Sequence, residues 1–526
     1  MLCILSLFDR PAEPGAIEFL RNGDPIQGLT DQVKSLSEVD WRFAINSLRN
    51  VRLLTDRNKN ADKEDQLDCH PLVREYFSES LKAQKPTVWR EAHSRLFEYY
   101  QSSPPHKKYP ETLGELEPLY RAVAHGCQAE RFKEALSEVY KKRILRGKYY
   151  SWKKYGNFGT ELVALSKFFD YLWNRVVDSL DDTDKGFILN EVGFHLMALA
   201  RLKEAAYPMR AALELFETQK DIDNIALCGS NLCKLYLALG NLEESITCAD
   251  HCLALINEFP ASYQQVGLIV AKGANLHQLG RFDDARDVFR SAENLHQALR
   301  PKTKYPLLYA FRGYRYCDLL LDIGDVHEIQ RRAEKVLEAL SVEEIPYFAL
   351  GISHLFLELA CLFLFLRGGT NSYYMAEEHM GKAMEYLSRA GQQVHITRGL
   401  LACAELQRIK GCFVDAQHNL DDALEIATRS CMKCLECDTH LEYCRLIFSM
   451  KRAANDTVYE NPLVIAGDHL SKAQSIIADI GYRRREPEVL LETARLRFYE
   501  GSKDLARQAL CHSKMSSRLK IKDDSL

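Results

Sequence analysis

Along most of the chain, apolar residues return every three or four positions, the spacing of a helix with one buried face. The pattern also repeats at a longer, constant interval. Ala200-Arg-Leu-Lys-Glu-Ala205, Gly240-Asn-Leu-Glu-Glu-Ser245 and Gly280-Arg-Phe-Asp-Asp-Ala285 follow one another in equal steps. Seven positions before each anchor stands Gly193, Cys233 or Gly273, and four before it stands Leu196, Tyr236 or Leu276. Beyond it come Leu202, Leu242 or Phe282, then Ala205, Ser245 or Ala285, then Ala212, Cys252 or Ala292. Small residues at fixed places let two antiparallel helices approach closely, and the large apolar residues between them fill the gap.

This spacing resembles the tetratricopeptide repeat, whose unit is about 34 residues. The longer period here implies longer helices or a longer connection between pairs. Less regular copies lie around Gly324, with Cys317 and Val326, and around Gly411, with Ala404, Phe413, Ala416 and Ala423. Weaker ones pair Phe132 with Ala135, Ala376 with Ala383, Ala466 with Ala473, and Gly501 with Ala506. About eight helix pairs are expected from near 115 to 515, forming an all-α, tetratricopeptide-like right-handed superhelical solenoid. The resemblance implies that the first helix of each pair lines the concave face. That places Asn190, Phe194, Ser230, Lys234, Val270, Ala274, Tyr314 and Asp318 against a protein or peptide ligand. Only Asn190 and Lys234 suit a clamp for a chain-terminal carboxylate, so a mixed or apolar polypeptide surface is the expectation.

Residues 1–82 follow another order. An apolar start and a Pro- and Gly-containing stretch precede a helical periodicity at Leu36, Val39, Phe43, Ile45 and Leu48. Two strand-like runs, Val51–Thr55 and Gln66–Cys69, flank the charged stretch Asp56–Asp65, and a helix from Pro71 to Leu81 follows. Helices, a hairpin and a helix give the order of a small winged-helix domain preceding the array.

At Leu67-Asp-Cys-His-Pro-Leu-Val-Arg-Glu-Tyr-Phe77 the sequence resembles the end of the winged-helix domain in the NACHT and NB-ARC branches of the signal-transduction ATPases with numerous domains (STAND). The array, including Ala416–Ala427 and Gly481-Tyr-Arg-Arg-Arg485, resembles the tetratricopeptide half of bacterial members. The resemblance implies that His70 contacts the β-phosphate of bound ADP in an intact assembly with a nucleotide-binding domain. Cys69 and Pro71 depart from the plant-type Met-His-Asp motif, so only His70 carries over. No G-x-x-x-x-G-K-[ST] cradle is present: Gly147-Lys148 precedes Tyr149 and Gly381-Lys382 precedes Ala383. The chain is therefore expected to be the C-terminal part of a switch ATPase, with ADP or ATP belonging to the intact assembly and no cofactor of its own. The alternative is a winged-helix transcriptional regulator carrying a tetratricopeptide sensor.

Composition narrows the remaining classes. Hydrophobic residues make up 46% of the chain and charged residues 27%, values that fit neither a disordered nor a fibrous protein. Gly and Pro, at 27 and 16, are few for a turn-dense β protein. A net charge of −4 advertises neither nucleic acid nor an anionic membrane. The 16 Cys, scattered singly in apolar patterns, fit small buried residues in the cytoplasm. The apolar start lacks a basic flank and a cleavage site. The apolar run Leu355–Leu366 contains Glu358 and falls short of the roughly 20 residues that span a bilayer, which fits a buried helix.

Two clusters suggest other chemistry. Cys431, Cys434, Cys437, His440 and Cys444 could ligate a metal, but helical spacing makes their side chains diverge, so buried thiols are the expectation. Seven basic residues from Lys141 to Lys154 interleave with Tyr149, Tyr150, Trp152 and Tyr155, a composition able to bind single strands but expected to be a packed link. No catalytic constellation is present. The sequence divides into a winged-helix-like domain over 1–82, a helical connector over 83–160, the array over 161–515 and a frayed tail over 516–526.

Overall fold

Ser37 starts the first long helix where the periodicity predicts it. Its Oγ accepts the Asp40 N–H at 3.2 Å, satisfying a donor the helix cannot. The computed structural model describes residues 1–55, 66–102, 108–301, 307–339, 346–369, 372–453 and 461–516. Both the charged stretch 56–65 and the tail beyond 516 lie outside the described residues.

The chain forms two units. Met1–Ser151, Val163–Asp170 and Val177–Leu180 make the first; Trp152–Leu162, Tyr171–Val176 and Asp181–Leu526 make the second. Unit 1 contains α1 (Leu2–Leu5), α2 (Pro14–Asn22), α3 (Asp31–Lys34), α4 (Glu38–Asn50), α5 (Pro71–Gln84), α6 (Pro86–Ser102), α7 (Leu113–Gln128) and α8 (Phe132–Glu134). From α8 the chain continues as a wide-turn π-helix, Ala135–Ile144. Single antiparallel bridges, Ala12 with Leu67 and Leu54 with Cys69, bring the two strand-like runs into register with the stretch before α2. In α4, Trp41 is the buried residue, with the Arg21 guanidinium 4.4 Å over its ring, whereas Val39 and Phe43 are exposed.

Next come α9 (Tyr150–Tyr155), α10 (Phe158–Ser166), β1 (Phe169–Tyr171) and β2 (Arg175–Val176). The basic and aromatic link is structural in part. Arg143 donates to the carbonyls of Lys108 and Gln101 at 3.0 and 2.7 Å, and Trp152 is buried.

Among the described residues, unit 2 is a helical solenoid of eight antiparallel pairs. They are α11 (Asp182–Ala198) with α12 (Leu202–Gln219), α13 (Ile222–Leu239) with α14 (Leu242–Ile256), and α15 (Tyr263–Gln278) with α16 (Phe282–Leu299). Then come α17 (Ala310–Asp322) with α18 (Val326–Ala339), α19 (Tyr347–Leu366) with α20 (Ser372–Ala390), and α21 (Gln393–Lys410) with α22 (Phe413–Arg429). The last are α23 (Lys433–Arg452) with α24 (Pro462–Ile480), and α25 (Glu486–Tyr499) with α26 (Lys503–Ser516). The anchors are the turns inside the pairs. At φ 87° the Gly240 N–H donates to Leu237 O at 3.2 Å, and the Asn241 N–H closes onto Tyr236 O at 2.8 Å. Ala200 makes the same turn at φ 62° without a glycine's freedom. The repeated small residues Ala205, Ser245, Ala285, Ala416 and Ala466 are fully buried between helices.

The apolar run is a buried helix as expected, but a longer one than the run itself suggests. It is part of the longer α19, whose 20 residues are, by length and composition only, enough to cross a membrane. Within the array, 67% of its apolar window is buried, and α19 packs between α18 and α20.

Candidate functional site

The solenoid of unit 2 curls until its seventh pair meets its second. Gly240 permits this, since an added Cβ there would lie 2.8 Å from Lys433 Cβ and 3.0 Å from Ile480 Cδ1. The Cys434 thiol faces Leu237 O at 3.9 Å, and Leu279 Cδ2 lies 3.5 Å from where a Cβ on Gly481 would stand. The first helices of distant pairs are thereby brought face to face.

Most of the side chains expected on an open concave face are covered. Asn190, Ser230, Val270, Ala274, Tyr314 and Asp318 are buried; Phe194 and Lys234 alone of the eight keep accessible surface. Asn190 Oδ1 accepts from Asn231 at 3.3 Å. Tyr314 meets the His395 ring edge-on at 5.1 Å, and Asp318 accepts from Arg398 at 3.0 Å with Arg315 at 3.5 Å. Arg398 comes from 80 residues further along the sequence. A helix that distant covers Tyr314 and Asp318, Asn190 is covered from the next pair, and all six positions are buried.

This packing is ionic as well as apolar. Asp322 receives His277 Nε2 at 2.7 Å and Arg484 Nη2 at 3.0 Å. Asp438 receives Arg485 Nε at 2.8 Å and the Tyr482 hydroxyl at 3.1 Å. Arg445 pairs with Glu488, with Glu492 at 3.2 Å and with Glu442 at 3.3 Å. Burial alone would raise the Asp318 carboxyl, yet the Arg398 guanidinium outweighs it and holds the group down at about 2. Glu488 is likewise held down at about 2, burial being overcome by Arg485 and Arg445. In the sequence, Arg483–Arg485 stand out only through a resemblance; single charges inside apolar helices, such as Asp318 and Asp322, were the available signal.

Elsewhere, the cysteine cluster points apart. Cys437 faces Ala473 O at 3.7 Å and Cys444 faces Ala466 O at 3.2 Å, and burial raises both thiols far above their ordinary range. In unit 1, His70 is exposed and caps α5, its Nδ1 accepting the Leu72 N–H at 3.2 Å.

A second feature lies on the outer helices. Tyr374, Val414 and Val464 each stand two residues before the buried Ala376, Ala416 or Ala466, and are 75%, 61% and 63% exposed. The equivalent positions of the first three pairs carry Lys203, Glu243 and Asp283. The three apolar side chains thus occupy one register on the outer helices of three consecutive pairs, five to seven, an exposed stripe by position.

The sequence matches no family model and no curated protein. Among solved structures it is similar to a signal-transduction ATPase with a tetratricopeptide repeat sensor from Pyrococcus horikoshii, at 12% identity and a TM-score of 0.35. That match covers 98% of this chain, which spans only 62% of the other. A Rap protein complexed with competence and sporulation factor matches at 12% identity over 82% of this chain and 92% of its own, with a TM-score of 0.33. Human IFIT1, as a dimer with m7Gppp-AAAA, matches at 16% identity over 91% of this chain and 95% of its own, with a TM-score of 0.38.

Proposed function

We propose that the chain is a non-catalytic protein-recognition scaffold, the winged-helix and repeat-sensor portion of a cytoplasmic STAND-type signalling ATPase. The observation that carries the recognition role is the stripe of Tyr374, Val414 and Val464. Large apolar side chains held in water at one register on three consecutive pairs, where three other pairs carry charge, mark a surface covered by a partner. The helix order and paired bridges of unit 1 support the winged-helix reading. Exposed Val39 and Phe43 on α4 and Leu72 and Tyr76 on α5 support a neighbouring body over unit 1, which this reading assigns to a nucleotide-binding domain. ADP or ATP belongs to that assembly, with His70 as the residue of this chain that reaches the phosphates.

The test is a triple variant, Tyr374→Glu with Val414→Glu and Val464→Glu. All three side chains are exposed, so thermal unfolding should stay near that of the parent. Polypeptides cross-linked to this face in cells of the source organism should be lost together. Unchanged cross-linking to the folded variant would reject the stripe as the recognition surface.

A further inference from the structure

The second pair carries Cys228 and Cys233 on α13, and Cys248 and Cys252 on α14. Ser245 brings the two helices close: its Oγ donates to Cys233 O at 2.8 Å, and the Cys233 thiol faces Ser245 O at 3.3 Å. One turn earlier on α13, Gly229 makes room for Cys252, whose Sγ a Cβ at that position would approach to 2.6 Å. Cys248 stands between these two contacts, three residues after Ser245 and four before Cys252, on one face of α14. The Cys233 and Cys252 thiols both donate to its sulfur. Cys228 is turned away from them, its thiol facing Met209 O at 3.3 Å.

The three clustered thiols are not equivalent. Cys233 and Cys252 are fully buried, whereas Cys248 is half-buried. The two S–H donors favour a thiolate at Cys248 and outweigh the burial that opposes it, and His251, one turn on, acts in the same direction. Cys233 and Cys252 are pushed the other way, first by Cys248 and then by burial. A thiolate within reach of solvent, beside a second thiol that keeps its proton, suits attack on a peroxide followed by resolution to a disulfide. Cys252 is poorly placed to resolve it: Cβ atoms one turn apart on a helix are about 5–6 Å from each other, against about 3.8 Å in a disulfide. Cys233, on the facing helix, carries no such restriction.

We propose that Cys248 is a hydroperoxide-reactive site and that Cys233 resolves it, so that oxidation ties α13 to α14 by a disulfide. In the first step the Cys248 sulfur attacks one oxygen of hydrogen peroxide. The O–O bond breaks, the sulfur gives up two electrons to become a sulfenic acid, and the departing hydroxide takes a proton as water. In the second step the Cys233 thiol loses its proton and attacks the Cys248 sulfur. The S–S bond forms, the S–O bond breaks, and the hydroxide leaves with that proton as a second water. Two thiols and one peroxide thus give one disulfide and two waters, and an added dithiol reverses the change by exchange.

The experiment uses the full chain, hydrogen peroxide and iodoacetamide, with each modified peptide identified by mass spectrometry. Cys412 and Cys431 are half-buried too and control for exposure alone. Cys248 should be oxidised at least about 10-fold faster than either. The product in the parent should be the Cys233–Cys248 disulfide, returned to thiols by dithiothreitol. In Cys233→Ser, peroxide should instead leave a sulfenic acid on Cys248 that dimedone captures, and in Cys248→Ser no disulfide should form in this pair. Alkylation separates thiolate character from exposure in the parent itself, without a variant. On acidification from mildly alkaline to mildly acidic pH an ordinary thiol slows by about 10-fold per pH unit, while Cys248 should hold its rate. Oxidation of Cys248 no faster than that of the controls, or alkylation that falls as steeply as an ordinary thiol's, would overturn the site. A parent that stops at the sulfenic acid, or a disulfide mapped to Cys252, would overturn the role of Cys233.

Discussion

Arg484 Nε lies 2.5 Å from an Asp322 carboxylate oxygen, across 162 residues of sequence. The pair ties the fourth helix pair to the turn before the eighth, and both side chains are nearly covered, at 8% and 14% exposure. Removing one partner leaves a buried charge without an answer, so Asp322→Leu should cost about 3–5 kcal/mol. Arg484→Met should cost a similar amount, and the double variant less than the sum of the two. His277, which donates to Asp322 as well, loses its partner in the first and last of these. Urea unfolding of the three variants measures the coupling; strict additivity would mean that the pair does not act as a unit.

Acid should weaken the protein in two separate steps. Three pairs of histidines face each other through Nδ1 atoms, His93 with His125 at 2.8 Å, His354 with His379 at 3.0 Å and His440 with His469 at 2.9 Å. Burial, aided by neighbouring rings and cations, pushes His354, His440 and His469 down to about 4. The folded state therefore keeps them neutral where an unfolded chain, with an ordinary value of 6.5, takes up protons. Their contribution is complete above 6.5 and lost as pH falls toward 4. Urea midpoints should decline over that window, and His440→Gln with His469→Gln should flatten the decline.

The second step belongs to the interior carboxylates. Asp318 and Glu488 are held at about 2 from ordinary values of 3.8 and 4.5, so their contribution is present above those values and lost as pH falls toward 2. Asp318→Asn should remove part of this lower step while leaving the histidine step in place. Midpoints measured from neutral pH down to the acid limit separate the two, and a single transition insensitive to both sets of variants would reject this division.

What the sequence made legible was local. Gly240 and Gly280 had to follow helices because a residue at ease with positive φ closes that turn, and Ala285 and Ala416 had to be buried because nothing larger fits between antiparallel partners. The shared face of the first helices was legible too, since Ser230 and Lys234 or Tyr314 and Asp318 are one turn apart. Its occupation by distant helices was not. Whether Asp318 faces solvent or Arg398 depends on how tightly the superhelix closes, and the pitch of a solenoid is the sum of many small rotations that no short motif records. The exposed stripe was hidden for a related reason: Val414 and Val464 fit the helical pattern, and only the packed array shows that their face is uncovered.

The register itself can be tested inside the third pair. Ala285 is fully buried against α15, whereas Asp283 is about half exposed and pairs with Arg286 at 2.8 Å. Ala285→Arg forces a long cation between two helices and should cost several kcal/mol, while Asp283→Lys should change stability by about 0.5 kcal/mol or less. Denaturation midpoints decide, and equal values would place the helix rotation elsewhere.

His70 tests the switch reading, because its two nitrogens have separable roles. Nδ1 accepts the Leu72 N–H, so a neutral ring carries its proton on Nε2, and that atom is free to donate to a phosphate oxygen. His70→Ala removes both functions, while Asn is as good a helix cap but does not reach as far. Alanine should therefore cost about 1 kcal/mol of stability in unit 1, and asparagine only a few tenths. With a nucleotide-binding domain joined to the chain, both variants should weaken ADP by about 10-fold to 150-fold, the worth of one charge-assisted hydrogen bond. Measuring ADP affinity and thermal unfolding on the same two proteins distinguishes a cap from a phosphate ligand. If asparagine restores both stability and ADP affinity, His70 is a helix cap alone and the nucleotide contact belongs to another residue.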